Sequence, residues 1–256
     1  MTKRRKFLIT SFILSLGFVG IQFLGNPYKI YAISGLSVIT SILFFWSLRE
    51  GLAKNLTLLT LILPAAFTGG VGVFWFLLPS NIFARLPMVV FYGLGVYALS
   101  LTMNVFTVSA VRTIALLRAA RGVGFILTLI TLFLIYNAIL SLKIPIWGSA
   151  PLITALSFPL LLQGFWTIPL DIKLTKDVLI LSLISSLVVG EIAVSLFFWP
   201  STLVVGSIFL TVAVYVLLGL GQAKLEQRLF SQTVREYLLV GILVFIGMFF
   251  ATHWGG

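Results

Sequence analysis

What most limits this chain is a series of long stretches that carry almost no charge. Nine runs, about 7–24, 28–48, 56–78, 87–107, 122–142, 148–168, 178–199, 202–221 and 237–254, consist largely of Leu, Ile, Val, Phe, Ala and Gly, and only Lys29 and Glu191 bring a charge into any of them. About 20 apolar residues wound into a helix cross a hydrocarbon layer about 30 Å thick. The strands of a membrane barrel would alternate polar and apolar residues, and these runs do not alternate. A helix satisfies its own backbone hydrogen bonds, so it is the element that such runs can form in lipid. The expected fold is therefore all-α: a polytopic transmembrane helical bundle of about nine spans.

A water-soluble alternative fails on surface. Hydrophobic residues make up 60% of the chain and charged residues 9%, with mean hydropathy +1.18, whereas a soluble domain is about 25% charged. The formal net charge of +11 would suggest nucleic acid in a soluble protein. Here the basic residues sit in short segments between the apolar runs, so nucleic acid is not expected as a partner. The chain has no cysteine, which removes disulfides, thiolate metal sites and cysteine nucleophiles. The first run follows Lys3-Arg4-Arg5-Lys6 and ends in Gly25-Asn26-Pro27, without a small-residue cleavage motif. It is expected to be an uncleaved first span.

Charge gives a topology independent of hydropathy, because Lys and Arg gather on the cytoplasmic side of short loops. With the N-terminus inside, the inner segments hold the Lys3–Lys6 cluster with Arg49, Lys54, Arg112, Arg118, Arg121, Lys173, Lys176, Lys224, Arg228 and Arg235; the outer ones hold Lys29, Arg85 and Lys143. One span more or fewer would swap sides midway and spoil the bias. The expected placement is the cell (inner) membrane, N-terminus cytoplasmic and C-terminus outside. Tryptophans favour the headgroup level. Trp75, Trp147, Trp199 and Trp254 fall near outer run ends, and Trp46 and Trp166 near inner ones.

A series of landmarks recurs at a spacing of about 120 residues. Phe45-Trp46-Ser47-Leu48 resembles Phe165-Trp166-Thr167-Ile168, Lys54-Asn55 precedes a run as Lys176-Asp177 does, and Pro79-Ser80 matches Pro200-Ser201. Val96-Tyr97 matches Val214-Tyr215, Asn104 falls opposite Gln222, and Arg118 opposite Arg235. The order suggests a duplication in which residues 1–27 hold the basic segment and first span, 28–143 a first four-span copy and 144–256 a second. Spans 2–5 would match spans 6–9 as a parallel repeat, an arrangement known in transporters with the site at the repeat interface. A three-plus-one-plus-three division is the alternative.

Few residues could carry chemistry. Glu191 is the one acid inside a run, and such a group is costly in lipid unless it faces protein or water. It is the leading candidate for a proton, cation or substrate site; a protonated acid that serves packing alone is the competing reading. Its counterpart in the first copy is Thr68-Gly69-Gly70, whose glycines would let another backbone come close. Asn104 and Gln222, at inner run ends, complete the candidate set. Arg112, Arg118, Arg121, Lys224, Arg228 and Arg235 are candidates for contact with anionic lipid at the inner face or with a partner. Leu225, Leu229 and Phe230 share a helical face, which suggests a short helix lying on that surface. His253, alone beside Trp254, makes no metal site. Neither cofactor nor metal is expected, and no paired acid or nucleophile–base arrangement supports an enzyme. The leading reading is a small transporter, or a protein that translocates lipid or a small molecule, with a site between the repeats near Glu191. The alternative is a non-catalytic membrane subunit or scaffold that packs against partner helices, in a heteromer or a homo-oligomer.

Overall fold

Helices form where the apolar runs lie, and they extend beyond them into the polar segments. The structure, a computed structural model, describes residues 2–21, 23–49, 52, 56–78, 82–110, 115–171 and 173–252. Among these residues there are nine α-helices and no strand: α1 (Lys3–Ile21), α2 (Asn26–Leu48), α3 (Ile62–Trp75, entered through a 3-10 turn Leu56–Leu61), α4 (Ile82–Ser109), α5 (Leu117–Ser141), α6 (Ile146–Trp166), α7 (Lys176–Phe197), α8 (Leu203–Leu225) and α9 (Ser231–Ala251). Eight of them, all but α1, are long and apolar enough to cross a membrane. The chain is thus a polytopic helical membrane protein. Helix α1 is left out of that count because Lys3, Arg4, Arg5 and Lys6 form its first turn. The apolar part that follows, Phe7–Ile21, is roughly 22 Å long at 1.5 Å per residue.

The helices take up parts of two inner polar segments. Helix α5 begins at Leu117, so Arg118 and Arg121 belong to its first turns, and α8 carries Lys224 in its last turn. The surface helix expected around Leu225–Phe230 does not form. The chain turns there instead: Gln227 takes a left-handed conformation at φ 58°, Arg228 N–H donates to Ala223 C=O at 2.8 Å and Gln227 N–H to Lys224 C=O at 3.0 Å. That is the Schellman closure of a helix, which glycine fits at the left-handed position without strain. Gln227→Gly is therefore expected to raise the thermal unfolding midpoint in detergent, through a gain of about 1 kcal/mol. An unchanged or lower midpoint would show that Gln227 is not held left-handed.

By packing, the chain divides into two units, residues 1–131 with 170–173, and residues 132–169 with 174–256. In the first, α1 lies against α2 and α4, α2 against α3, and α3 against α4. Ser11 Oγ donates to Gly93 C=O at 2.6 Å, tying α1 to α4. In the second, α6 lies against α7 and α8, α7 against α8, and α8 against α9. The C-terminal half of α5 joins it through Tyr136 and Ser157, whose hydroxyls are 2.6 Å apart, and through Asn137 Nδ2, which donates to Ser207 Oγ at 3.3 Å. Small residues make the closest seams, as expected where packing rather than water drives helix association. A Cβ on Gly72 would meet Ile33 at 2.6 Å, and one on Gly190 would overlap Thr154 Oγ1.

Not every tryptophan is a headgroup anchor. Trp46 and Trp147 are exposed, and Lys6 Nζ lies 5.7 Å from the centre of the Trp46 ring. Trp75 and Trp166 are buried, because neighbouring helices cover them. Trp254 and His253 lie outside the described residues, as do Lys54, Asn55, Pro79 and Ser80.

Candidate functional site

In the first unit, the core around Thr68 is built from three helices that each bring one hydroxyl. Thr40 on α2, Thr68 on α3 and Tyr92 on α4 are fully buried. Thr68 Oγ1 is 3.0 Å from Thr40 Oγ1 and 3.0 Å from the Tyr92 hydroxyl, and it can donate to Pro64 C=O at 3.0 Å. Thr40 Oγ1 donates to Leu36 C=O at 2.8 Å. A helical Thr can return its proton to the carbonyl four residues back, so each hydroxyl is satisfied without an ion. Aromatic rings close the cluster: Phe18 lies 4.8 Å from Tyr92 and 5.0 Å from Trp75, centroid to centroid, and Phe67 stacks on Tyr92 at 5.9 Å. Gly69 faces Ser37, with room for a Cβ at 3.4 Å, and Gly70 is buried. Thr68 and Gly70 thus belong to a buried, hydrogen-bonded core, and Gly69 between them is half-buried. Asn104 lies further along α4, half-buried, and its carbonyl accepts from Thr107 Oγ1 at 3.0 Å.

Glu191 and Gln222 belong to the second unit. Gln222 Nε2 donates to Gly164 C=O at 3.0 Å, linking α8 to α6. Nothing brings Gln222 and Glu191 together: Gln222 is near the end of α8, and Glu191 is about four turns into α7. The two faces of α7 are sorted inside out relative to a soluble helix. Ser182, Ser185, Ser186, Val189, Gly190 and Ala193 are buried, while Ile180, Ile184, Leu187 and Val194 are exposed. Glu191 lies on the exposed stripe. At 1.5 Å per residue it sits roughly 22 Å from the start of α7 and about 9 Å from its end.

A family model described as "Protein of unknown function (DUF5656)" matches residues 12–251. The chain belongs to the DUF5656 family. The match takes in all or part of every helix, so both packing units of this DUF5656 chain lie within it. No curated protein and no solved structure matches it.

The basic candidates in this DUF5656 protein are spread over helix ends. Arg118, Lys224, Arg228 and Arg235 are exposed and Arg121 half-buried; Arg112 lies outside the described residues. Among the described residues, no three of His, Asp and Glu come close enough to hold a metal ion. Thr40 and Tyr92 went unremarked in the sequence, and so did Tyr136 and Ser157. A hydroxyl in a span carries no signal until its partner on another helix is known.

Proposed function

We propose that this chain is a non-catalytic membrane subunit that pairs with a second copy of itself through the exposed face of α7, with Glu191 as the polar contact. The carrying observation is a carboxyl group on an otherwise apolar exposed stripe of a spanning helix. Lipid is a poor neighbour for it, and a facing helix that can hydrogen-bond is a good one. A protonated carboxyl group both donates and accepts, so two of them meet across a two-fold axis without a cation. The same reading keeps the topology set by charge, with the N-terminus cytoplasmic, the C-terminus outside, and Arg118, Arg121, Lys224, Arg228 and Arg235 at anionic lipid on the inner face.

Like pairings within the two units (α2 on α3 and α6 on α7; α3 on α4 and α7 on α8; α2 on α4 and α6 on α8) support a parallel duplication. A transport or lipid-handling role is the second reading, favoured by an apolar groove of about 290 Å³ between α7, α8 and α9, lined by Val188, Val212, Val216 and Phe245 among others.

The test uses the absence of native cysteine. Single cysteines at Leu187 or Val194, oxidised in native membranes, are expected to give disulfide-linked dimers. Glu191→Gln is expected to keep most of the cross-linking, since an amide is also self-complementary, and Glu191→Leu to weaken association roughly tenfold, the worth of a contact of about 1–2 kcal/mol. Absence of cross-links, with loop-cysteine controls reacting normally, would place this face against lipid and sink the proposal.

A further inference from the structure

We propose that the first unit binds a phosphate-type anion at the end opposite Lys3–Lys6, between Lys29 of α2 and Arg85 of α4. Helices α1 and α3 end there and α2 and α4 begin there, enclosing a cavity lined by Phe18, Ile21, Lys29, Trp75, Phe76 and Arg85. The cavity is small, about 10 Å³, enough for one oxygen-sized group beside the cations.

Three observations point to an anion. First, two cations face one cavity in a unit whose only acidic residues are Glu50 and Asp171, neither of which lines the cavity. Second, Arg85 is held but not satisfied. Its guanidinium carbon stacks 5.5 Å from the centre of the Trp75 ring, while its buried Nε has no hydrogen-bond partner. A buried guanidinium N–H without an acceptor is costly, and a phosphate oxygen is the acceptor that its planar fork fits. Third, α2 and α4 both begin at this end, so the positive ends of two helix dipoles point toward it.

The second unit has a cavity at the equivalent place in its chain order. It is about 250 Å³, between the ends of α5 and α7 and the starts of α6 and α8, and is lined by Lys143, Ser149, Trp199, Ser201 and Thr202 among others. Thus Lys29, Arg85 and Lys143, the three cations that the charge bias leaves on the outer side, all line cavities at these helix ends. A residue that only obeyed or broke the charge bias would have no reason to do so. Lys143 stands at φ 49°, a conformation that glycine adopts freely, so Lys143→Gly removes this charge without a folding penalty in the backbone.

Phosphate chemistry could reach the site from a lipid headgroup or from a free anion, and the test separates them. The purified full chain, in a neutral glycoside detergent, is titrated with inorganic phosphate or with short-chain phosphatidylglycerol, and the thermal unfolding midpoint is followed, since a ligand that binds the folded state raises it. A rise with phosphatidylglycerol alone identifies a headgroup site; a rise with both, or with phosphate alone, identifies a site for a free anion. In either case Arg85→Gln is expected to weaken the response at least tenfold in ligand concentration. If that variant does not fold, Lys29→Gln is expected to weaken it severalfold, and Lys143→Gly reports on the second cavity. No shift with either ligand, or an unchanged response in the Arg85 and Lys29 variants, overturns the proposal. Neither result bears on pairing through α7.

Discussion

Tyr92→Ala is expected to destabilise the first unit by about 3 kcal/mol, the low end of the range for emptying a buried aromatic position. Tyr92 is fully buried between Phe18 and Phe67, so removing its ring leaves a cavity in the place where α1, α3 and α4 meet. The figure falls at the low end because helices separated in a micelle stay in apolar surroundings, and the transfer part of the cost largely vanishes. What remains is lost contact on the lining of the void. Tyr92→Phe keeps the ring and removes only the hydroxyl. Thr68 Oγ1 still has Thr40 and Pro64 C=O as partners, so the loss is expected to be about 0.6 kcal/mol, typical of a hydrogen bond between membrane helices. Unfolding by a denaturing detergent, followed by tryptophan fluorescence, measures both. Near-equal losses for the two variants would show that the hydroxyl cluster, not the ring packing, holds this core.

The order and position of the helices were legible because each depends on one local property. A span needs an unbroken apolar run, and the charged residues that end the runs are visible directly; the helix at Lys176–Phe197 differs from the expected run 178–199 only in where its ends fall. The direction in which side chains point was not legible, since it depends on partners. In α7 both faces are apolar enough for lipid, and the buried one is chosen by small residues: Gly190 and Ser186 permit close approach, whereas Leu187 and Ile184 would hold a neighbour away. Sequence therefore gave the depth of Glu191 but not its facing, and the facing is what separates a cavity site from a pairing site. Thr68 stands out in the sequence through its glycine neighbours, while its hydrogen-bond partners are a threonine on α2 and a tyrosine on α4. The Leu225–Phe230 segment misled for a related reason. Its apolar spacing suits a helix, and the stop lies in the left-handed Gln227, which has none of the glycine that usually marks such a turn. Lys29 and Arg85 read as exceptions to a charge rule until the fold set them on one cavity.

Gly190→Leu is expected to cost about 1–3 kcal/mol, the usual penalty for forcing extra volume into a packed seam. The first atom of the new side chain already overlaps Thr154 Oγ1, and Ala150 C=O lies 3.8 Å from it. Thr154 cannot simply turn away, because its hydroxyl donates to Ala150 C=O at 3.0 Å. The choice is then between breaking that bond and parting α6 from α7, and either loses contact along the seam. Thr154→Ala in the same chain removes the obstructing atoms while leaving the Ala150 backbone, so it is expected to restore part of the loss, with a coupling of about 0.5–3 kcal/mol in a double-mutant cycle. Additive effects would mean that the two residues do not meet. Gly190 is buried and its neighbour Glu191, about 100° further round the helix, is exposed, and this separates two roles. If α7 pairs through its outer stripe, cysteine cross-linking at Leu187 should survive in the Gly190→Leu, Thr154→Ala double variant, in which the seam is partly restored, and weaken in Glu191→Leu, in which the seam is untouched.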